Sequence, residues 1–388
     1  MQRKILLLVI VVSLLFVVPV YSLELDPPSF ELESEAAVLM EPVSGDLIYS
    51  KEQHQPLPPA SLNKIMTLLL IMEALEEGEV TLQETVVASS HAESMGGSEI
   101  WLEVGEEMRL EEMLKAVAIS SANDASVALA EHIYGSEELF VQVMNDRADS
   151  LGLENSFFGN ASGLPIEGQE SKITAHDISL LARELLEYPE VLDYTSIWLD
   201  YLRDDETELN NTNKLLVSYQ GADGLKTGWT DEAGFSVVAT AERKGVRMIA
   251  TVLKAPTSDV RFSEAVELMN YGFGLYRAME VTRDGQYIQD VYVSRGSREF
   301  VGLIAGDSLT VPVLRGKEEQ LIKEIKILPQ ITAPLSEGEK VGEIVVSRED
   351  GTQLGSVDLL VEREVPRATF IGLVGQLLKK ILGWFISV

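Results

Sequence analysis

The chain has 388 residues, 46% of them hydrophobic, which is long enough for two domains and apolar enough to bury a core, so disorder as the dominant state is excluded. Its 62 acidic residues against 31 basic ones leave a formal charge of −31, which repels a phosphate backbone and argues against nucleic acid as a partner. The absence of cysteine removes disulfides, thiolate catalysis and cysteine-ligated metals, and His54, His91, His132 and His176 fall at no metal-ligand spacing, so no metal site is expected.

At the start of the chain, Arg3 and Lys4 precede an apolar run from Ile5 to Val20, with small residues placed for a signal peptidase around Val20-Tyr21-Ser22. The run is shorter than the roughly 20 residues of a spanning helix and Pro19 closes it, so residues 1–22 read as a cleaved signal peptide and the protein as exported.

Residues 23–278 interleave helical and strand patterns. Ala36 to Met40 and Asp46 to Tyr49 read as a strand pair joined at Ser44-Gly45, and a nearly all-apolar helix from Ser61 to Glu77 follows Pro58-Pro59. Helical periodicity recurs over Leu110 to Ile119, Ala125 to Tyr134, Glu137 to Leu151 and Ala175 to Leu186. Gly234 to Ala241 and Val246 to Leu253 are apolar runs of strand length on either side of a polar turn. The pattern predicts an α+β (α/β) domain in which helices cover an antiparallel sheet.

Beyond Met279 the helical pattern gives way to short alternating runs, Tyr287 to Val293, Phe300 to Ile304, Ile322 to Ile327, Val341 to Val346 and Ser356 to Val361. They predict a small all-β domain over residues 279–365. In residues 366–388, Phe370, Val374, Leu377, Leu378, Ile381 and Phe385 share one helical face, opposite Gln376, Lys379, Lys380 and Ser387. That is the pattern of an amphipathic helix lying on a membrane surface, which places the mature protein on the outer face of the cytoplasmic membrane.

Three short elements carry chemistry. Ser61 and Lys64, at i and i+3 at the start of the apolar helix, share one face, and a buried lysine of depressed pKa can take the serine's proton. Alone this spacing is weak, since about one or two such matches arise by chance in a chain of this size, and Ser61 as the cap of a core helix with Lys64 snorkelling is the simpler account of it. Ser121-Ala122-Asn123 falls between two predicted helices, where a loop turns a hydroxyl and an amide into a cleft. Lys226-Thr227-Gly228 supplies a fixed charge, a hydroxyl donor and a glycine that lets a substrate backbone approach a strand, and chance gives only about 0.1 such tripeptides.

In this order the three elements form the signature of the penicillin-recognising, β-lactamase-like serine acyltransferases. More closely, Pro59 to Thr67, Ser121 to Ala125, Asn211 to Leu216 and Asp223 to Gly234 resemble the blocks of the low-molecular-mass penicillin-binding proteins that are serine-type D-alanyl-D-alanine carboxypeptidases of peptidase family S11. The resemblance extends through the β domain and the tail. It implies that Ser61 is acylated, that Lys64 is its base and that Ser121 relays a proton to the leaving amine. It further implies that Asn123 holds the substrate amide, while Lys226, Thr227, Gly228, Trp229 and Arg261, 35 residues beyond Lys226, line the cleft and hold the terminal carboxylate. Backbone N–H groups of Ser61 and Trp229 are placed to form an oxyanion hole.

The expected substrate is a peptidoglycan stem peptide ending in D-Ala-D-Ala, with β-lactam antibiotics as covalent inhibitors. A transpeptidase or endopeptidase of the same superfamily, or an idle wall-binding protein, remains the alternative. Ala122, Trp229 and Lys214 depart from the family's usual glycine, histidine and glycine, which predicts altered specificity or rate. Glu206 to Asn210 resembles the water-activating loop of class A β-lactamases, but it lies at the wrong place in the chain to reach an acyl-enzyme.

Overall fold

The computed structural model describes residues 30–372 and 374. The expected signal segment and the tail beyond residue 374 lie outside the described residues. A five-stranded antiparallel sheet forms the frame of the first domain, from β1 (Ala36–Glu41), β2 (Asp46–Lys51), β3 (Ala222–Thr230), β4 (Gly234–Arg243) and β5 (Val246–Ala255), in the order β2-β1-β5-β4-β3. The strand carrying Lys226-Thr227-Gly228 is therefore an edge strand, with one side free to meet another element or a substrate.

Helices cover both faces of this sheet. On β5, Thr251 hydrogen-bonds to Ser179 of α5 (Ala175–Leu185), 2.8 Å between hydroxyls, whereas Met248 lies against Gly272 of α6 (Ser258–Leu275). Side chains an odd number of positions apart point to opposite faces, so α5 and α6 sandwich the strand. The sequence pattern did not reveal α6, because Arg261 and Glu264 are buried on it and break its apolar stripe.

The apolar helix is α1 (Lys64–Glu76), and it is preceded by a 3₁₀ turn, Ala60–Asn63, that contains Ser61. Residues 64–72 are all buried, which explains why α1 is apolar all round: it is the central helix of the core, packed against α3 (Asn123–Tyr134), α4 (Glu137–Ser150) and α5. The helix expected over Leu110 to Ile119 is α2 (Leu110–Lys115), continued as a π-helical turn through Ala116–Ser120.

The second domain is all-β. Strands β6 (Tyr276–Thr282) and β9 (Leu309–Leu314) pair with each other, and β7 (Tyr287–Tyr292), β8 (Phe300–Ala305), β10 (Leu321–Ile327), β11 (Lys340–Arg348) and β12 (Gln353–Val361) form a sheet in the order β7-β8-β12-β11-β10. Its own core includes Val301, Leu303, Val311, Val313, Ile344, Val346, Leu359 and Val361, recurring at every second position as strand geometry requires. Among the described residues, no helix is long and apolar enough to cross a membrane.

Candidate active site

The nucleophile candidate sits in a tight turn. A 3₁₀ helix has three residues per turn, so positions i and i+3 eclipse, and Lys64 Nζ lies 3.3 Å from Ser61 Oγ. Ala60 adopts φ +47, an unusual conformation for a residue with a Cβ, immediately before the serine. Lys64 is fully buried, and its Nζ also donates to Asn123 Oδ1 at 2.6 Å and to the carbonyl oxygen of Ser162 at 2.7 Å. Burial, and then the positive charge of Lys226, hold its pKa well below the ordinary lysine value, while Asp124 opposes the shift.

Ser121 follows the π turn in the left-handed conformation, φ +63, and its buried Oγ has no hydrogen-bond partner among the described residues. Strain and an unsatisfied hydroxyl together mark a position where packing alone does not account for the residue. Two residues on, Asn123 starts α3 with its amide engaged at both ends, accepting from Lys64 and donating to the Gly96 carbonyl at 2.6 Å. Next to it, the buried Asp124 carboxylate accepts the N–H groups of Ile100 and Leu102, holding the 96–102 segment against the first turn of α3.

On β3, Lys226 is buried, and burial followed by the charge of Arg261 lowers its pKa to about 7. Thr227 Oγ1 lies 2.5 Å from Thr212 Oγ1, and the Asn213 amide donates to the Gly224 carbonyl at 2.9 Å, so the 211–216 segment braces the strand. A Cβ on Gly228 would stand 2.8 Å from the Pro59 carbonyl and 3.3 Å from Ala60 Cβ, so the glycine is what lets β3 press against the serine turn. Trp229 is 54% exposed, with its ring 5.8 Å from that of Phe235. Arg261 is buried, donating to backbone carbonyls of β3 and β4, and burial lowers its pKa to about 10.

Residue-type reasoning missed the segment Asn160-Ala161-Ser162-Gly163, which supplies the second short acceptor for Lys64. The signal available was the Asn and Gly of a turn, but a carbonyl that does the work leaves no mark on the identity of its residue. It also missed Asp124 and Thr212. The Glu206 to Asn210 stretch lies largely in a strand, Thr207–Asn210, paired with Leu199–Leu202. Among the described residues there is no cluster of three or more histidine, aspartate or glutamate side chains able to hold a metal.

A serine hydroxyl beside a buried amine, an orphan hydroxyl and a lysine-bearing edge strand abutting the serine is a constellation for acyl transfer, set in a fold of penicillin-binding-protein type with an all-β domain behind it. Residues 23–257 match the family model described as D-alanyl-D-alanine carboxypeptidase, and residues 276–367 match that of the penicillin-binding protein 5 C-terminal domain. The chain belongs to the D-alanyl-D-alanine carboxypeptidase family. It is 39% identical to the D-alanyl-D-alanine carboxypeptidase DacF of Bacillus subtilis over 90% of each chain. The crystal structure of a peptidoglycan synthesis regulatory factor (PBP3) from Streptococcus pneumoniae superposes on 87% of this chain and 100% of its own, with a TM-score of 0.74 at 29% identity. Penicillin-binding protein D2 of Listeria monocytogenes in its cefotaxime-bound form covers 63% of this chain and 99% of its own, with a TM-score of 0.59 at 35% identity.

Proposed function

We propose that this protein hydrolyses the terminal D-alanine from peptidoglycan stem peptides through an acyl-enzyme on Ser61. The observation that carries the reading is the environment of Lys64 Nζ. A neutral amine has two N–H groups and one lone pair. The two short contacts, to Asn123 Oδ1 and Ser162 O, go to acceptor-only oxygens and consume both N–H groups. In the neutral amine the lone pair is then left to accept the Ser61 hydroxyl proton, 3.3 Å away between heavy atoms. Burial, and then the Lys226 charge, disfavour the protonated form of this amine, as a general base requires.

In the reaction, the Ser61 Oγ–H proton passes to Lys64 as Oγ attacks the carbonyl carbon of the penultimate D-alanine. The C–N bond of the tetrahedral intermediate then breaks, and the departing D-alanine nitrogen takes a proton, with Ser121 as the relay. Backbone N–H groups of Ser61 and Trp229 would stabilise the oxyanion. Water repeats the attack on the ester, returning Ser61. Asn123, Lys226 and Thr227 bind and orient the peptide and its terminal carboxylate. Arg261, which the sequence placed at the carboxylate, is instead buried against the backbone of β3 and β4 and holds the strand that carries Lys226 and Thr227. A β-lactam acylates the same serine, in keeping with the cefotaxime-bound relative.

The reading extends to the ends of the chain: residues 1–22 direct export, the catalytic domain runs from residue 23 and the β domain to residue 365, with the boundary expected at 278/279 moved to 275/276 because β6 begins at Tyr276, and the tail from 366 attaches the protein to the outer face of the membrane. Where the tail helix begins, Phe370 and Ile371 are 81% and 83% exposed, which supports a lipid-facing role. Sedimentation with anionic vesicles, with and without residues 367–388, tests the attachment.

The test of function is D-alanine release from diacetyl-L-Lys-D-Ala-D-Ala, run beside Ser61→Ala. Release abolished by the substitution is expected. Folded protein that neither releases D-alanine nor takes up a labelled penicillin would overturn the proposal.

A further inference from the structure

The Ser162 carbonyl that receives the Lys64 amine belongs to a turn whose direction is set from outside. Asn160 Oδ1 accepts the N–H groups of Ser162 and Gly163, at 3.1 and 2.6 Å, and its amide donates to the Leu164 and Gln169 carbonyls, so the turn is closed on itself. Its placement relative to α1 is another matter. Both polar groups of Ala161 are held by neighbouring elements: Thr67 Oγ1, one helical turn beyond Lys64, donates to the Ala161 carbonyl at 2.6 Å, and Glu137 Oε1 accepts the Ala161 N–H at 2.9 Å.

Glu137 begins α4 and is only 5% exposed, and its other oxygen faces His91 Nε2 at 2.6 Å. A carboxylate is costly to bury and is retained where it is paired and hydrogen-bonded. The proposed reaction makes no use of it. Its two oxygens span two segments of the site: the turn that seats Lys64, and the short helix Ser90–Glu93, which leads into the Gly96 carbonyl that receives the Asn123 amide.

We propose that Glu137 is a positioning residue for the general base. With Ala161 pinned from both sides, the Ser162 carbonyl has one direction, and the Lys64 lone pair keeps its aim at Ser61. The inference rests on the reading of Lys64 as the base for Ser61. Displacement of that carbonyl turns an N–H of Lys64 towards the serine oxygen and lowers the rate of acylation without altering how the ligand is first held.

Two substitutions separate reach from charge. Glu137→Gln keeps an oxygen at the same length and removes the charge; Glu137→Asp keeps the charge and withdraws the oxygen by one methylene. Stopped-flow labelling of the full chain with a fluorescent penicillin gives the pre-acylation dissociation constant and the acylation rate constant separately, on protein whose folding is confirmed by its unfolding midpoint. Glu137→Asp is expected to acylate roughly 10- to 100-fold more slowly at an unchanged dissociation constant, and Glu137→Gln within about threefold of the parent, the size expected when a catalytic group is misplaced by about an ångström. If Glu137→Asp does not fold, Thr67→Val removes the tie on the other side of the same residue and carries the same expectation. Labelling that persists in Ser61→Ala overturns the nucleophile assignment itself. Labelling that needs Ser61, with Glu137→Asp as fast as the parent or with Glu137→Gln the slower variant, overturns the role of Glu137 alone.

Discussion

Arg261 Nη1 donates to the carbonyl oxygens of Gly228 and Ser236, 3.2 and 3.3 Å away, and these two residues face each other in the register of β3 and β4. One guanidinium on α6 thus fixes the edge strand at the point where it meets the serine turn. Its Nε has no partner among the described residues, and its charge is the second cause, after burial, of the lowered Lys226 pKa. Hydrogen bonds to a charged donor contribute about 1.5–3 kcal/mol, so Arg261→Ala is expected to lower kcat/KM for D-Ala-D-Ala peptides roughly 10- to 100-fold. Arg261→Lys should not restore it, because an ammonium lacks the planar fork of a guanidinium. Steady-state kinetics of the two variants decides; a fully active lysine variant would show that the charge alone matters.

The acylation rate should fall on the acid side as Lys64 takes a proton, in a limb well below the ordinary lysine range. The two charges acting on Lys64 have opposite signs, which gives a directional test. Removing the Lys226 charge with Lys226→Gln relieves a repulsion, so the amine holds its proton more tightly and the limb moves to higher pH. Removing the Asp124 charge with Asp124→Asn takes away the ion that favours the ammonium, and the limb moves to lower pH. Acylation rates from pH 5 to 9 measure both limbs, whatever their amplitudes, and movement in the same direction in both variants contradicts this assignment of the base.

Lys226 also sets a dependence of stability on pH. Its folded pKa of about 7 lies below the unfolded value near 10.4, so between these pH values the unfolded chain binds more protons and the unfolding free energy rises with pH. Lys226→Met, which removes the buried amine, is expected to raise the unfolding midpoint most at pH 6 and progressively less towards pH 10, while abolishing turnover. Calorimetry at pH 6, 8 and 10 checks the trend; a gain that grows with pH would have the sign wrong.

The three chemical elements were legible because side-chain identity encodes them: a hydroxyl and an amine at i and i+3, a hydroxyl and an amide in a loop, a lysine before Thr-Gly. The sheet and most helices were legible from periodicity, as for β4 and β5, whose apolar runs extend by only a few residues. Periodicity failed where burial is uniform or polar. β9 carries Pro312, α6 carries Arg261 and Glu264 inward, and the turn at 60–63 departs from α geometry while sharing the helix's apolar character. The acceptors of Lys64 were half legible, Asn123 by its side chain and Ser162 not at all, since any residue offers a carbonyl.

Gly163 carries a further prediction for the same turn. It has φ +77, and a Cβ there would fall 1.9 Å from the Ala60 carbonyl and 2.6 Å from Asn63 Cβ, so the 160–163 turn lies directly on the backbone that precedes the nucleophile. Gly163→Ala combines left-handed strain with a backbone collision and is expected to cost about 3 kcal/mol, or roughly 10 °C in unfolding midpoint, together with most of the acylation rate. A thermal melt and a penicillin-labelling assay on the same preparation test it. An unchanged midpoint would mean that the turn and the serine segment separate freely.

Far from this chemistry, Asp46 at the start of β2 accepts both the Tyr276 hydroxyl, at 2.6 Å, and the Arg348 guanidinium, at 2.7 Å. Arg348 ends β11 of the second domain and Tyr276 begins β6, so one carboxylate ties two strands of the β domain to the first hairpin of the catalytic sheet. The ion pair is only partly exposed, 20% for Arg348 and 32% for Asp46, which shields it from full solvent screening, and its hydrogen bonds are charge-assisted. A double-mutant cycle with Asp46→Asn and Arg348→Gln is expected to give a coupling of about 1–2 kcal/mol. Because the pair does not touch the Ser61 network, penicillin acylation should be unchanged in every member of the cycle, while proteolysis near the junction at Leu275–Tyr276 becomes faster in both single variants. Zero coupling would show that this ion pair does not hold the β domain; a slowed acylation would show that the domain's orientation reaches the active site.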